Sequence, residues 1–330
     1  MWFRELFSFD EIDPDQVRSN LRMEEGVLTS LVNGAAFHAG ALETPSLVEL
    51  RAQCAELRPA QEPNRYSEIV TDARSLHCDP SNAGAMIQVA SQFNLLEMTS
   101  PSVSPERGVD IYEHDRTQGP ACAIAAGAGT VMRNYFADVN GRRGQTTDNQ
   151  IDCLADMGVA LGNESSRLWT MRNGYAVGTY DGLLEIGDRL QSSSNQDLDH
   201  LRSLLRVGIQ HDTQVTLDNC THRLSQVFCS ALPVAYSVLS AETWERFARL
   251  VLEATYEATF CAAMINREKT GSNKLYLTLV GGGAFGNKKE WIFDAVTQAA
   301  KRYPNAGLEV AFVSVGRSNS ELSNVLGRCN

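Results

Sequence analysis

"LTLVGGGAFGNKKEW", residues 277–291, runs an apolar segment into three glycines, then a fourth, and then a charged segment. The apolar run reads as a buried strand and "EWIFDAVTQAAKR" as a helix, so the glycines fall at a strand-to-helix turn. That placement points to an α/β fold in which bare backbone N–H groups and a helix N-terminus cradle an anion. Gly281, Gly283 and Gly286 satisfy G-x-G-x-x-G. Only 44 residues follow Gly286, too few to complete a dinucleotide-binding half, which disfavours a nicotinamide dehydrogenase. Asn287 stands where a Walker loop needs lysine, and Lys288 and Lys289 come one place too late, which disfavours NTP hydrolysis. A diphosphate cradle survives. A turn that merely lets strand and helix pack closely stays open beside it.

Working outward, "LYLTLV" and "GLEVAFVSV" are apolar on both faces, as strands covered by helices must be. From about 212 the pattern is strand ("TQVTL"), strand ("SQVFCSAL"), long helix (241–266), strand, helix, strand. "PSLVELRAQCAEL" (45–57) has helical spacing, so residues 1–60 read as a helical lead-in and 61–330 as the main domain. "YSEIVTDA" reads as a strand ending at Asp72. "NAGAMIQVASQFNLLEM" follows with helix-compatible spacing at Met86, Val89 and Phe93, and "TQGPACAIAAGAGTVMRNYF" as a helix with Pro120 in its first turn. The polar, turn-rich stretch 141–205 reads as an insertion without chemistry.

Composition sets bounds. The chain has 330 residues, 43% hydrophobic, with net charge −11, enough for a full core and unsuited to phosphate backbones, so nucleic acid is not an expected partner. No apolar stretch is long enough for a membrane span, and the acidic N-terminal segment does not read as a signal peptide, so a cytoplasmic protein without a membrane partner is expected. Eight scattered cysteines form no C-x-x-C, and six histidines form no H-E-x-x-H, so no metal and no cofactor are expected. A serine hydrolase lacks its G-x-S-x-G elbow.

"LYLTLVGGGAFGNKKEWIFDAV" followed by "GLEVAFVSVG" resembles the closing half of macrodomains, where a strand, a glycine-rich loop, a helix and a last strand hold ADP-ribose. "IVTDARSLHCDPSNAGAMIQVASQFNLLEM" and "GVDIYEHDRTQGPACAIAAGAGTVMRNYF" are similar to the divergent macrodomains of the MavL type, bacterial-effector hydrolases that remove ADP-ribose from arginine of ubiquitin. The resemblance implies a macrodomain-like three-layer α/β/α sandwich with a mixed sheet. It implies ADP-ribose as ligand and an ADP-ribosylated protein, ubiquitin among the candidates, as partner. Gly281, Gly282, Gly283, Ala284, Phe285, Gly286 and Asn287 would take the diphosphate. Thr117 and Gln118, in the TQGPAC stretch, would join the ligand site, and Asp72 would accept a hydrogen bond from the adenine amino group. The usual first loop, Asn-Ala-Ala-Asn with a glycine run, is replaced by "SNAGAMIQVASQFN".

Cleaving a glycosidic bond needs carboxylates. Glu97, Glu106, Asp110, Glu113 and Asp115 cluster within nineteen positions. Glu97, at the end of the expected "QFNLLEM" helix, and Asp115, before the Thr117–Pro120 helix entry, are the preferred catalytic pair, with Glu106 third. Gln88, Gln92 and Asn94 are candidates for ribose hydroxyls, with surface amides on an amphipathic helix as the ordinary explanation. Two functions stay open at this level: an ADP-ribosyl hydrolase acting on protein-linked ADP-ribose, and a reader that binds without cleaving.

Overall fold

The computed structural model describes residues 1–58, 60 and 62–329. A seven-stranded mixed sheet runs through the molecule in the order Ala41–Glu43, Gly208–Gln214, Arg223–Cys229, Met86–Ala90, Lys274–Leu277, Glu309–Ser314, Arg65–Val70. The last five are mutually parallel, and Gly208–Gln214 is antiparallel to both of its neighbours. One face is covered by helices Leu47–Glu56, Tyr180–Ser192, Ala241–Thr270 and Lys289–Arg302, the other by Ala73–Cys78, Gln118–Ala125 and Gly127–Tyr135. The result is a three-layer α/β/α sandwich. Because five strands are parallel, their carboxyl ends lie along one edge, where the loops after Val70, Ala90, Cys229, Leu277 and Ser314 meet, and this is where such sheets build ligand clefts.

The 30-residue helix Ala241–Thr270 follows from its sequence: long runs without Gly or Pro, apolar residues all round, and Gly271 at φ +78° to end it. Eighteen of its residues are buried, so it is the spine of its layer. Its buried Glu257 is paired with Arg51 at 2.6 Å and Arg302 at 2.9 Å, which ties it to the Leu47–Glu56 and Lys289–Arg302 helices.

Three expectations need correction. The 86–94 segment is not a helix: Met86–Ala90 is a central strand, with residues 86–89 at most 1% exposed. Its apolar positions fit the helical period by coincidence, and burial on both faces between two parallel neighbours decides for strand. Residues 1–60 are not helical throughout. Helices Trp2–Phe7 and Pro14–Asn20 lead into a three-stranded sheet of Leu21–Glu24, Val27–Ser30 and Ala36–His38, and Ala41–Glu43 joins the central sheet as an edge. The strand expected at "TQVTL" lies earlier, at Gly208–Gln214, with a bulge between Gln210 and Thr213. Among the described residues no helix is long and apolar enough to cross a membrane.

Candidate functional site

The glycine loop leaves the Lys274–Leu277 strand and is closed by its own backbone: Gly282 N–H donates to Leu279 O, Asn287 N–H to Gly281 O and Gly286 N–H to Gly283 O. Gly281 has φ +76°, and a Cβ there would overlap that of Ala231, so only glycine turns the chain at this point. Asn287 is buried and its Nδ2 donates to Leu232 O at 2.9 Å, pinning the loop to the segment after Cys229. The N–H groups of Gly281, Gly283, Ala284 and Phe285 have no acceptor among the described residues. A Cβ on Gly283 would meet nothing within 4 Å.

Opposite lies the Ser91–Met98 loop. Gln92 folds it on itself, accepting from Met98 N–H at 2.9 Å and donating to Met98 O at 3.2 Å. Leu95 sits at φ +65°, its carbonyl taking the Arg133 Nε–H at 3.3 Å while the guanidinium lies 3.8 Å over the Phe228 ring. These contacts hold Glu97, whose N–H donates to the Tyr112 hydroxyl at 2.9 Å. Glu97 is 5% exposed, its carboxyl receives no hydrogen bond among the described residues, and Oε1 is fully buried. Burial raises its pKa well above the carboxylate range; the Arg133 charge opposes the rise and Asp115 adds to it. The carboxyl therefore retains a proton where an ordinary glutamate has lost it. Position 119 must be glycine, because a Cβ would overlap both Ala90 O and Glu97 Oε2.

Two adjoining hollows lie along this edge. The smaller, about 250 Å³, holds Glu97, Gly281, Gly283, Ala284 and Phe285 with Tyr175 and Tyr236. The larger, about 560 Å³, holds Asp72, Arg74, Ile87 and Tyr276. Asp115, Thr117, Gln118 and Thr278 border both. Asp72 caps the Ala73–Cys78 helix, accepting from Ser75 N–H at 2.9 Å and Ser75 Oγ–H at 2.8 Å, and the backbone bond holds its pKa below the usual range. A cap and a cavity-lining carboxylate are thus the same residue. Asp115 orders the helix entry by accepting from Thr117 N–H at 2.8 Å. Tyr175, Tyr236 and Phe285 cluster with ring centroids 5.1–5.5 Å apart at one side of the smaller hollow.

Of the candidates from sequence, the structure brings together Glu97, Asp115, Asp72, Thr117, Gln118, Gln92, Gly281, Gly283, Ala284 and Phe285. Gln118 and Gln88 border the cleft with committed amides: Gln118 accepts from Ala90 N–H at 2.9 Å, and Gln88 donates to Thr259 Oγ1 at 2.8 Å. Gln88, Gln92 and Asn94 are buried and lie on the strand and its loop, not on an amphipathic helix. Asn94 is outside both hollows, donating to Gln150 Oε1 at 2.9 Å. Glu106 is also outside: burial would raise its pKa, but hydrogen bonds led by that from Thr147 N–H, at 2.7 Å, outweigh this and lower it. Gly282, Gly286 and Asn287 shape the loop without lining either hollow. Sequence reasoning missed Trp2, Tyr175 and Tyr236, which line the cleft, and Arg133, which holds it. Tyr175 follows the Asn173-Gly174 turn of a hairpin inside the segment read as having no chemistry, and that turn was the available signal. Among the described residues no cluster of three or more metal-ligating side chains occurs.

No family model and no curated protein matches the chain. Among solved structures, the chain is similar to poly(ADP-ribose) glycohydrolase from Thermomonospora curvata, at 11% identity and TM-score 0.49 over 96% of this chain and 97% of that one. It is also similar to poly(ADP-ribose) glycohydrolase from Deinococcus radiodurans in complex with ADP-ribose, at 12% identity and TM-score 0.45 over 87% of this chain and 91% of that one.

Proposed function

We propose that the cleft binds ADP-ribose and that the protein hydrolyses the N-glycosidic bond joining it to a protein side chain, arginine in the first place, with ubiquitin a candidate carrier. The observation that carries this reading is the pairing, in one small hollow, of unbonded loop N–H groups with a buried carboxyl that receives no hydrogen bond among the described residues and whose pKa burial raises. The diphosphate would lie along Gly281–Phe285, the adenosine in the larger hollow against Asp72, and the distal ribose between Glu97 and Asp115.

The chemistry balances with these two acids. The C1″–N bond breaks with its electron pair going to nitrogen, which leaves an oxocarbenium-like ribose and a neutral guanidine. Glu97 gives its proton to that guanidine. Water adds to C1″, and its proton passes to Asp115, from which it returns to Glu97. Arginine is favoured as the linkage because Tyr175, Tyr236 and Phe285 line the same hollow as Glu97 and Asp115, and an aromatic wall beside acids suits a guanidinium. The test is binding of free ADP-ribose by calorimetry. A micromolar-range heat signal in the wild type that disappears in Gly283→Val, with the apo melting temperature unchanged, supports the reading. Equal binding by both proteins would remove the loop from the site.

A further inference from the structure

Arg133, delivered by the helix Gly127–Tyr135, is 1% exposed. Three contacts fix its guanidinium: Nε–H donates to Leu95 O at 3.3 Å, Nη2–H donates to Thr130 Oγ1 at 3.0 Å, and Cζ lies 3.8 Å over the Phe228 ring. Leu95 stands two positions before Glu97, so the cation is clamped to the loop that carries the acid. A fully buried arginine is ordinarily paired, because desolvating the charge is costly. Here Nη1 is buried without an acceptor, and Glu97 Oε1 is buried without a donor, among the described residues. Two unanswered buried atoms, one on a cation and one on an acid, belong to the same loop and its clamp.

The charged and titratable groups about the Glu97 carboxyl come from several elements. Arg133 is the cation that acts on it, and Asp115, before the Gln118–Ala125 helix, is the anion. Tyr112 in the turn Asp110–His114, Cys122 in the Gln118–Ala125 helix and Tyr175 in the hairpin also feel the Glu97 charge, and burial pushes all three up, so they stay neutral. An acid works only where the base it leaves behind is tolerated. The carboxylate of Glu97 has no bonded donor waiting and is repelled by Asp115, so the Arg133 charge is what can compensate it.

We propose that Arg133 is a positioning residue for the acid step: its fixed positive charge compensates the carboxylate that forms when Glu97 gives up its proton, and so sets how readily that proton leaves. The proton passes from Glu97 to the departing nitrogen, and Arg133 neither gives nor takes one. The kinetic role rests on the hydrolase reading of the cleft, whereas the charge coupling is a property of the free protein.

The experiment follows the Glu97 carboxyl across pH by its 13C resonance in protein labelled at glutamate Cδ, assigned by its absence in Glu97→Gln, in wild type, Arg133→Met and Arg133→Lys. Expected is a titration moved up by about one pH unit or more in Arg133→Met and held within about half a unit of wild type in Arg133→Lys, which keeps the charge and loses the fork that grips Leu95 O. On arginine-linked ADP-ribose, the alkaline limb of kcat/KM moves up with the titration in Arg133→Met, kcat falls about tenfold or more, and ADP-ribose affinity stays within about twofold. The double variant Glu97→Gln/Arg133→Met turns over no more slowly than Glu97→Gln, because a charge without its carboxylate has nothing to compensate. If Arg133→Met does not fold, Arg133→Gln, which keeps a hydrogen-bond donor and removes the charge, gives the same comparison. A Glu97 titration that stays in place in the neutral variant, or that moves equally in Arg133→Lys, overturns the assignment and leaves the hydrolase reading standing. A wild type that releases no ADP-ribose overturns the hydrolase reading, and the kinetic role of Arg133 with it, whatever the titration shows.

Discussion

Glu97 and Arg133 are buried ionisable residues 5% and 1% exposed, each with an atom that finds no hydrogen-bond partner among the described residues. Burial lifts the glutamate and pulls the arginine down to about 10, so each resists its charged form while the other's charge partly offsets the cost. A glutamate whose folded pKa is raised contributes stability fully present below its unfolded value of about 4.5, and that contribution is lost as pH rises through the folded value. Glu97→Gln should therefore melt higher than wild type at alkaline pH, with the gap closing toward acid, as read by thermal denaturation across pH. The same substitution should lower turnover at least ~100-fold while ADP-ribose affinity is kept, which separates an acid from a binding residue. In the wild type, the proposed role of Glu97 as the acid predicts that activity falls as pH rises through its raised pKa. Arg133→Met removes the bonds to Leu95 O and Thr130 Oγ1 and should destabilise the fold by about 1–3 kcal/mol in urea titration.

At the scale of elements, two loops carry the site, and the sequence read them unequally. The glycine loop was legible because its flanks are unambiguous: an apolar run before, a helical pattern after, and no competing motif that fits. Its individual glycines differ in a way the sequence hides. Gly281 turns the chain at positive φ against Ala231, whereas Gly283 faces open space. Gly281→Ala should cost about 1–3 kcal/mol of stability and Gly283→Ala less than about 0.5, measured by urea unfolding of the apo proteins. Loss of comparable stability in both would mean that the loop is built differently. The Ser91–Met98 loop was not legible. Its strand, Met86–Ala90, was read as a helix, because a short apolar run buried on both faces has no period of its own. Glu97 was chosen as the residue ending a helix, yet it is held by a loop whose anchors, Gln92, Arg133 and Tyr112, lie up to 36 positions away and leave no local trace.

For the whole molecule, the sandwich was legible from the alternating strands and helices of the C-terminal half, while the first 60 residues were not. Their short strands alternate weakly, and what fixes them is the sheet edge at Gly208–Gln214 and the Phe3, Phe7, Phe9 and Phe37 cluster. Removing residues 1–44 would strip the Ala41–Glu43 strand and expose the sheet edge at Gly208–Gln214. That truncation should be insoluble or melt non-cooperatively, and a soluble product with a sharp transition would show the extension to be separable.

The central claim is that the acid beside the glycine loop cleaves protein-linked ADP-ribose. The most direct measurement is the release of free ADP-ribose, followed by chromatography, from arginine-, serine- and glutamate-linked substrates by wild type and Glu97→Gln at matched concentration. The account predicts release from the arginine-linked substrate by wild type and at least ~100-fold slower release by Glu97→Gln. Release at equal rates by both proteins, or no release from any linkage by wild type, would contradict it.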